Sequence, residues 1–210
     1  MNELTPRDKI EDAVRLREHF GDPVQIAVEL MKPRLDELHK RYIRNSPFIC
    51  IAAAGLDGQP ALSPRGDAPG FVKIIDDNTL VIPDRPGNNK LMTYGKLVQN
   101  PKVALLFFVP GVNETLRIEG EAKLVLDENI RALGKVGSKL PPAAMVINVQ
   151  RVFVHCGKAL IRSDLWNPAK HAAPGTVPTL AEMGRDQSIT PITLEDAQRA
   201  VDFLYKETLY

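Results

Sequence analysis

The chain has 210 residues, 27 Lys and Arg against 26 Asp and Glu, and a formal net charge of +1. With 44% hydrophobic and 25% charged residues it reads as an ordinary globular chain, long enough to bury a core without staples. Those values exclude wholesale disorder, a strongly basic nucleic-acid binder and an acidic tail protein. The 14 Gly and 17 Pro point to many turns, which suits β structure better than a helical bundle. Cys50 and Cys156 each lie in an apolar run and read as two buried thiols of a reducing compartment rather than a disulfide. The charged stretch Met1 to Asp12 leads into no apolar segment, so no secretory signal is expected. The longest apolar run, 103–110, falls far short of the ~20 residues of a membrane span. The expectation is a cytoplasmic protein that engages neither membrane nor nucleic acid.

Residues 1–22 read as a polar arm with some helix. From Pro23 to Arg44 apolar positions recur at helical spacing, with Pro33 starting a second segment or kinking a single one. Ser46-Pro47 stops the helix, and 48–63 reads as a hairpin about the turn Leu56-Asp57-Gly58-Gln59. Strands are expected at 70–75 and 79–83, then a loop over 84–88 and a short helix over 90–98. The apolar run 103–109, bracketed by Pro101 and Pro110, reads as a central strand. In 115–126 the alternation is clearest: Leu116, Ile118, Gly120, Ala122, Leu124 and Leu126 share one face, while Thr115, Arg117, Glu119, Glu121 and Lys123 share the other. A short helix over 127–133 and a strand pair within 144–161 follow. Beyond Pro168 the chain reads as loop, until Thr193 and Asp196 signal the start of a last helix reaching about Tyr205. Antiparallel strands joined by short turns, with few helices between them, indicate a small β-barrel. No repeat or long linker divides the chain, so 1–210 reads as one domain with a helical arm over 1–45 and a loop plus helix over 168–210.

Familiar chemical motifs are missing: no G-x-G-x-x-G, Walker lysine loop, H-E-x-x-H, C-x-x-C or G-x-S-x-G occurs. The four histidines show no metal-like spacing, and His155 reads as a packed or surface residue. Two polar loops at strand ends remain. In Ser63-Pro64-Arg65-Gly66-Asp67 the chain turns sharply after Arg65, either presenting that guanidinium or simply pairing it with Asp67. In Asp84-Arg85-Pro86-Gly87-Asn88-Asn89-Lys90 the chain leaves a strand and enters a helix. Helix-start amides with Arg85, Asn88, Asn89 and Lys90 suit a phosphate; the plainer reading is a capped helix start with exposed charges. Asp84 would repel a phosphate unless it is turned away, by pairing with Arg65 or by capping the turn.

The ordered series 61–67, 70–73, 79–90, 100–108 and 116–125 resembles the pyridoxamine 5'-phosphate oxidase superfamily of FMN-binding split barrels, in an oxidase-related branch rather than the vitamin enzyme itself. The resemblance implies a mainly β fold, a six-stranded antiparallel split β-barrel with flanking helices. It also implies a homodimer with FMN at the subunit interface. By the same resemblance Ser63, Arg65 and Gly66 fall at the flavin-contacting strand and loop, and Ile82 and Pro83 where backbone meets the isoalloxazine edge. Asn89 and Lys90 take the place of an Arg-Lys phosphate pair, with Asp84, Arg85 and Asn88 around them. Thr115 stands where the vitamin enzyme has a flavin-contacting glutamine, on the same polar strand face as Arg117. The arginine- and histidine-bearing end of that enzyme is absent; Lys158, Arg162 and Trp166 stand there instead. Trp166 either covers a partner subunit's flavin or packs the dimer surface.

The expected function is FMN-dependent oxidoreduction with hydride transfer at flavin N5, acting on a small molecule. No side chain stands out as a catalytic acid or base. A haem-binding or haem-degrading split barrel, with His155 as its ligand, and a flavin store without turnover are the alternatives.

Overall fold

The structure, a computed structural model, describes residues 9–210, so the start of the expected arm and of the charged N-terminal stretch lies outside the described residues. The chain divides into two compact units, one ending at Met31 and one spanning Lys32–Tyr210. In the first, Asp12 caps α1 (Ala13–Phe20) by accepting the Arg15 N–H at 2.8 Å, and the helix ends at Gly21 with φ 74°. The short α2 (Gln25–Glu29) follows.

The second unit starts on a backbone exchange between Lys32 and Val152, 2.9 and 2.8 Å. Helix α3 (Glu37–Asn45) begins four residues after Pro33 with a reciprocal cap. Asp36 Oδ1 accepts the Leu38 and His39 amides, and the Asp36 amide donates to His39 Nδ1. The strands are β1 (Phe48–Ala54), β2 (Pro60–Gly66), β3 (Lys73–Ile74), β4 (Thr79–Pro83), β5 (Lys102–Phe108), β6 (Thr115–Val125) and β7 (Ala144–His155). They pair antiparallel throughout, in the order β2-β1-β5-β6-β7-β4-β3.

The fold class is the expected one, mainly β, but the sheet has seven strands rather than six. The shortest is the two-residue edge strand β3, all that remains of the strand expected over 70–75. The expected pair within 144–161 is one long strand. No turn residue interrupts its β-branched run, and β7 must match all of β6 on one side and β4 on the other. Helix α6 (Lys158–Ser163) takes up the rest.

On β6 the period-two pattern holds. Leu116, Ile118 and Ala122 are buried while Arg117, Glu119 and Glu121 stay partly exposed. Between Glu119 and Gly120 the register slips: Glu119 faces Arg151, Gly120 faces Val149, and Gln150 is the extra residue. A Cβ on Gly120 would lie 2.1 Å from the Asn148 carbonyl oxygen, so only glycine fits there. Ile49 and Ile51 of β1, Leu80 and Ile82 of β4, Phe107 of β5 and Ile147 of β7 belong to one buried cluster. Strands far apart in sheet order share that core because the sheet curls on itself. The curl also brings the ends of β2 and β4 together.

Helix α4 (Met92–Gln99) links β4 to β5, and α5 (Glu128–Ala132) follows β6. Residues 168–210 are more ordered than expected. They hold a short 3-10 turn (Pro168–Lys170), then α7 (Leu180–Gln187), capped reciprocally by Thr179 and Glu182, and α8 (Leu194–Glu207), capped by Thr193 as anticipated. Among the described residues no helix is long and apolar enough to cross a membrane. Both cysteines are free. Cys156 is exposed rather than buried, because β7 ends one residue before it.

Candidate functional site

The two loops singled out from the sequence meet, and they meet crosswise. Arg65, near the end of β2, lies with Nη1 3.5 Å from Asp84 Oδ1, just past β4. Arg85, the next residue, donates from Nε to Asp67 Oδ2 at 2.6 Å. The local Arg65–Asp67 pair is therefore not made. Each arginine takes its carboxylate from the other loop, and Asp84 turns toward Arg65 as its charge required. Because β2 and β4 lie toward opposite ends of the sheet order, the two pairs tie together the margins that the curl brings close.

A tyrosine completes each pair. Tyr94 Oη, on α4, donates to Asp84 Oδ1 at 2.5 Å, and Tyr210 Oη donates to Asp67 Oδ1 at 2.8 Å. The Arg65 guanidinium lies over the Tyr94 ring at 5.1 Å and that of Arg85 over the Tyr210 ring at 5.6 Å. Burial pushes the Asp67 carboxyl upward, but the Tyr210 phenol, the Ala68 amide and Arg85 outweigh it and hold the group below the usual carboxylate range. Burial, reinforced by the bond to Asp84, raises the Tyr94 phenol far above its ordinary value. The bond to Asp67 raises that of Tyr210.

These groups wall a cavity of about 610 Å³. Of the expected site residues, Ser63, Arg65 and Gly66 line it from β2, and Pro83 lines it from β4. Asp84, Arg85, Asn88, Asn89 and Lys90 line it from the following loop. Lys90 differs from its neighbours. Its amide donates to Asn88 Oδ1 at 3.1 Å, but its exposed ammonium makes no ion pair among the described residues. Asn89 and Leu91 adopt left-handed φ values of 51° and 53°. An asparagine takes that conformation readily, whereas a leucine there costs roughly 1–2 kcal/mol. The helix expected from Lys90 starts two residues later. Leu91 at its N-cap supplies no side-chain acceptor, so the first amides of α4 lack a side-chain cap.

Six expected residues do not line this cavity. Ile82 is a core residue, 3% exposed. Thr115, expected on the open polar face, is buried, because it opens β6 opposite His155 where Tyr42 of α3 bonds the adjacent Glu114 carbonyl. Arg117 pairs with Glu119 at 2.7 Å and lies over Phe153. Lys158 and Arg162 are exposed on α6. Trp166 donates from Nε1 to the Val112 carbonyl at 2.9 Å. His155 stacks against Phe153 and is not a wall of the cavity either. Burial and the Arg117 charge lower its pKa. No group of three or more metal-binding side chains occurs among the described residues.

Sequence reasoning gave Asp67 only as a local partner of Arg65 and left out Tyr94, Leu209 and Tyr210; all four also line the cavity. Tyr94 lies four residues beyond Lys90, within the helix expected over 90–98 and in the first turn of α4. Nothing local marks Tyr210, which is 143 residues from its partner Asp67.

No curated protein matches the chain. Among solved structures it is similar to HupZ from Group A Streptococcus, 21% identical, covering 57% of this chain and 93% of that one with a TM-score of 0.46. A candidate pyridoxamine 5'-phosphate oxidase from Lactobacillus delbrueckii is 23% identical, covering 58% of this chain and 95% of its own, with a TM-score of 0.46. An FMN-binding protein from Syntrophomonas wolfei is 12% identical, covering 68% and 96%, with a TM-score of 0.44. The sequence profile of the family described as pyridoxamine 5'-phosphate oxidase matches residues 35–156, from the turn before α3 to the end of β7. That span is more than half of the chain and holds all seven strands, and on it the chain belongs to the pyridoxamine 5'-phosphate oxidase family.

Proposed function

We propose that this chain binds FMN in the cavity between the β2 and β4 loops and serves as a flavin-dependent oxidoreductase for a small molecule. The observation that carries the reading is the unpaired Lys90 ammonium beside the uncapped start of α4, at the mouth of a cavity already lined by two arginines. Three cations, Arg65, Arg85 and Lys90, stand against two carboxylates, Asp67 and Asp84, each already engaged by an arginine and a phenol. The surplus positive charge suits a phosphate monoester. The volume lies within the ~300–1,000 Å³ of small-molecule sites, and Leu62, Phe71, Leu91 and Met92 give it an apolar wall for a flat ring.

Bound there, the flavin supplies hydride transfer at N5. The chain's own residues bind and orient it. Lys90 and the first amides of α4 neutralise the phosphate. Arg65, held by Asp84 and Tyr94, would present its guanidinium to the ring side, and Pro83, which lines the cavity, would bound the ring edge. Family membership favours a homodimer with the flavin at the subunit interface, where the accessible Arg117, Lys158, Arg162 and Trp166 would face the partner's flavin. The cytoplasm is the compartment proposed, since two free thiols suit a reducing environment.

The test is the absorbance of the purified protein, followed by titration with FMN. Paired near-ultraviolet and blue bands with FMN quenched on binding support the reading. A Soret band, or no flavin binding at all, refutes it. Steady nicotinamide oxidation by the loaded protein separates an enzyme from a store.

A further inference from the structure

Tyr210 lies outside the family match, yet it lines the cavity and touches both halves of one crossed pair. We propose that Tyr210 is a positioning residue for the Arg85 guanidinium, and that the segment reaching it from α8 belongs to the phosphate end of the ligand site. The proposal rests on the flavin reading for the identity of its ligand only.

Arg85 has five N–H donors in a rigid plane. Nε donates to Asp67 Oδ2, and Nη1 donates to the Gly134 carbonyl at 2.8 Å. The Tyr210 ring covers one face of that plane, and the Tyr210 hydroxyl donates to Oδ1 of the same Asp67. The phenol therefore holds the carboxylate and the carboxylate holds the guanidinium. Tyr210 is anchored in turn, because Lys139 Nζ donates to its backbone oxygen at 2.6 Å. A guanidinium covered on a face and bonded through Nε and Nη1 keeps its remaining donors along the edge, the geometry in which arginine grips phosphate oxygens. The Arg65–Asp84–Tyr94 group has the same build with all three members inside the family match. In the Arg85 group the third member comes from beyond it.

Removing Tyr210 should free Arg85 to turn and should cost the phosphate-bearing flavin more than the phosphate-free one. The probes are FMN and riboflavin, titrated by fluorescence quenching against wild type, Tyr210→Phe and Tyr210→Ala. Tyr210→Ala is expected to weaken FMN about 10-fold, roughly the loss of one hydrogen bond to a charged group, and riboflavin less than about twofold. Tyr210→Phe keeps the ring, loses the hydroxyl and should fall between wild type and Tyr210→Ala. A second measurement needs no flavin: solvent exchange of the Arg85 Nε–H, followed by 15N NMR and assigned with Arg85→Lys, should be clearly faster in Tyr210→Ala.

FMN that binds more tightly to Tyr210→Ala overturns the proposal, because the residue would then compete for the cavity. Equal weakening of both flavins makes it a plain wall and overturns it too, as does unchanged Arg85 exchange. If wild type binds neither flavin, the flavin reading fails, and the Arg85 exchange alone decides the role of Tyr210.

Discussion

Replacing Asp67 and Arg85 by alanine, singly and together, measures how strongly one crossed pair ties the β2 and β4 loops. The side chains are 4% and 17% exposed and meet at 2.6 Å, so the pair is only lightly screened. A hydrogen bond to a charged partner contributes ~1.5–3 kcal/mol net, and breaking a well-buried pair costs ~3–5 kcal/mol. The two deletions should differ. Without Arg85, Asp67 still accepts from the Tyr210 phenol and the Ala68 amide, so about 2 kcal/mol is expected. Without Asp67, Arg85 keeps only the Gly134 carbonyl and the Tyr210 hydroxyl loses its acceptor, so about 3 kcal/mol is expected. The double variant should cost less than the sum, with a coupling of about 1.5–2 kcal/mol. Urea unfolding at neutral pH, followed by far-ultraviolet circular dichroism, gives all four corners of the cycle. The Arg65–Asp84 pair, at 3.5 Å, should couple less strongly. A coupling under about 0.5 kcal/mol for Asp67 and Arg85 would refute the claim that this contact holds the loops together.

The β6–β7 bulge makes Gly120→Ala costly, by about 2–3 kcal/mol, because the new methyl meets the Asn148 carbonyl and neither backbone can withdraw without breaking the ladder. A shift of that size in the urea midpoint, with unchanged slope, is the expected readout. Acid should weaken the fold through Asp67. Its folded pKa lies below the ordinary value, so its contribution is present above about pH 4 and is lost as pH falls through the folded value. Wild type should therefore lose stability below about pH 4, and Asp67→Asn should lose less over the same interval. Equal losses would show that Asp67 does not contribute to the acid limb.

Much of the sheet was legible because period two is a local signal. Strand β4 and the central run of β5 stand close to their expected positions, and the β6 alternation survives into the burial pattern. The single strand β7 was read as a pair because the β-branched run over 144–161 is long enough for two average strands, and its length is set by pairing with all of β6, which is not a local signal. Helix α7 was missed because Pro174, Gly175 and Pro178 precede it, although the Thr179–Glu182 box was there to be read. At the site, loop chemistry identified Arg65, Asp84, Arg85 and Lys90. The exchange of carboxylate partners was open because it depends on which strand ends the curl brings together. Tyr210 was beyond reach, since only tertiary packing carries the end of α8 back to Asp67.

The central claim, that the phosphate of FMN sits between Lys90 and the start of α4, is tested most directly by titrating FMN and riboflavin against wild type and Lys90→Ala. Lys90 is exposed and unpaired, so its removal should leave the urea midpoint unchanged and isolate the ligand effect. The account predicts that FMN weakens about 10-fold, roughly one charge-assisted contact, while riboflavin moves less than about twofold. If both flavins weaken by the same factor, or FMN binds Lys90→Ala as tightly as wild type, the phosphate is not held by this loop.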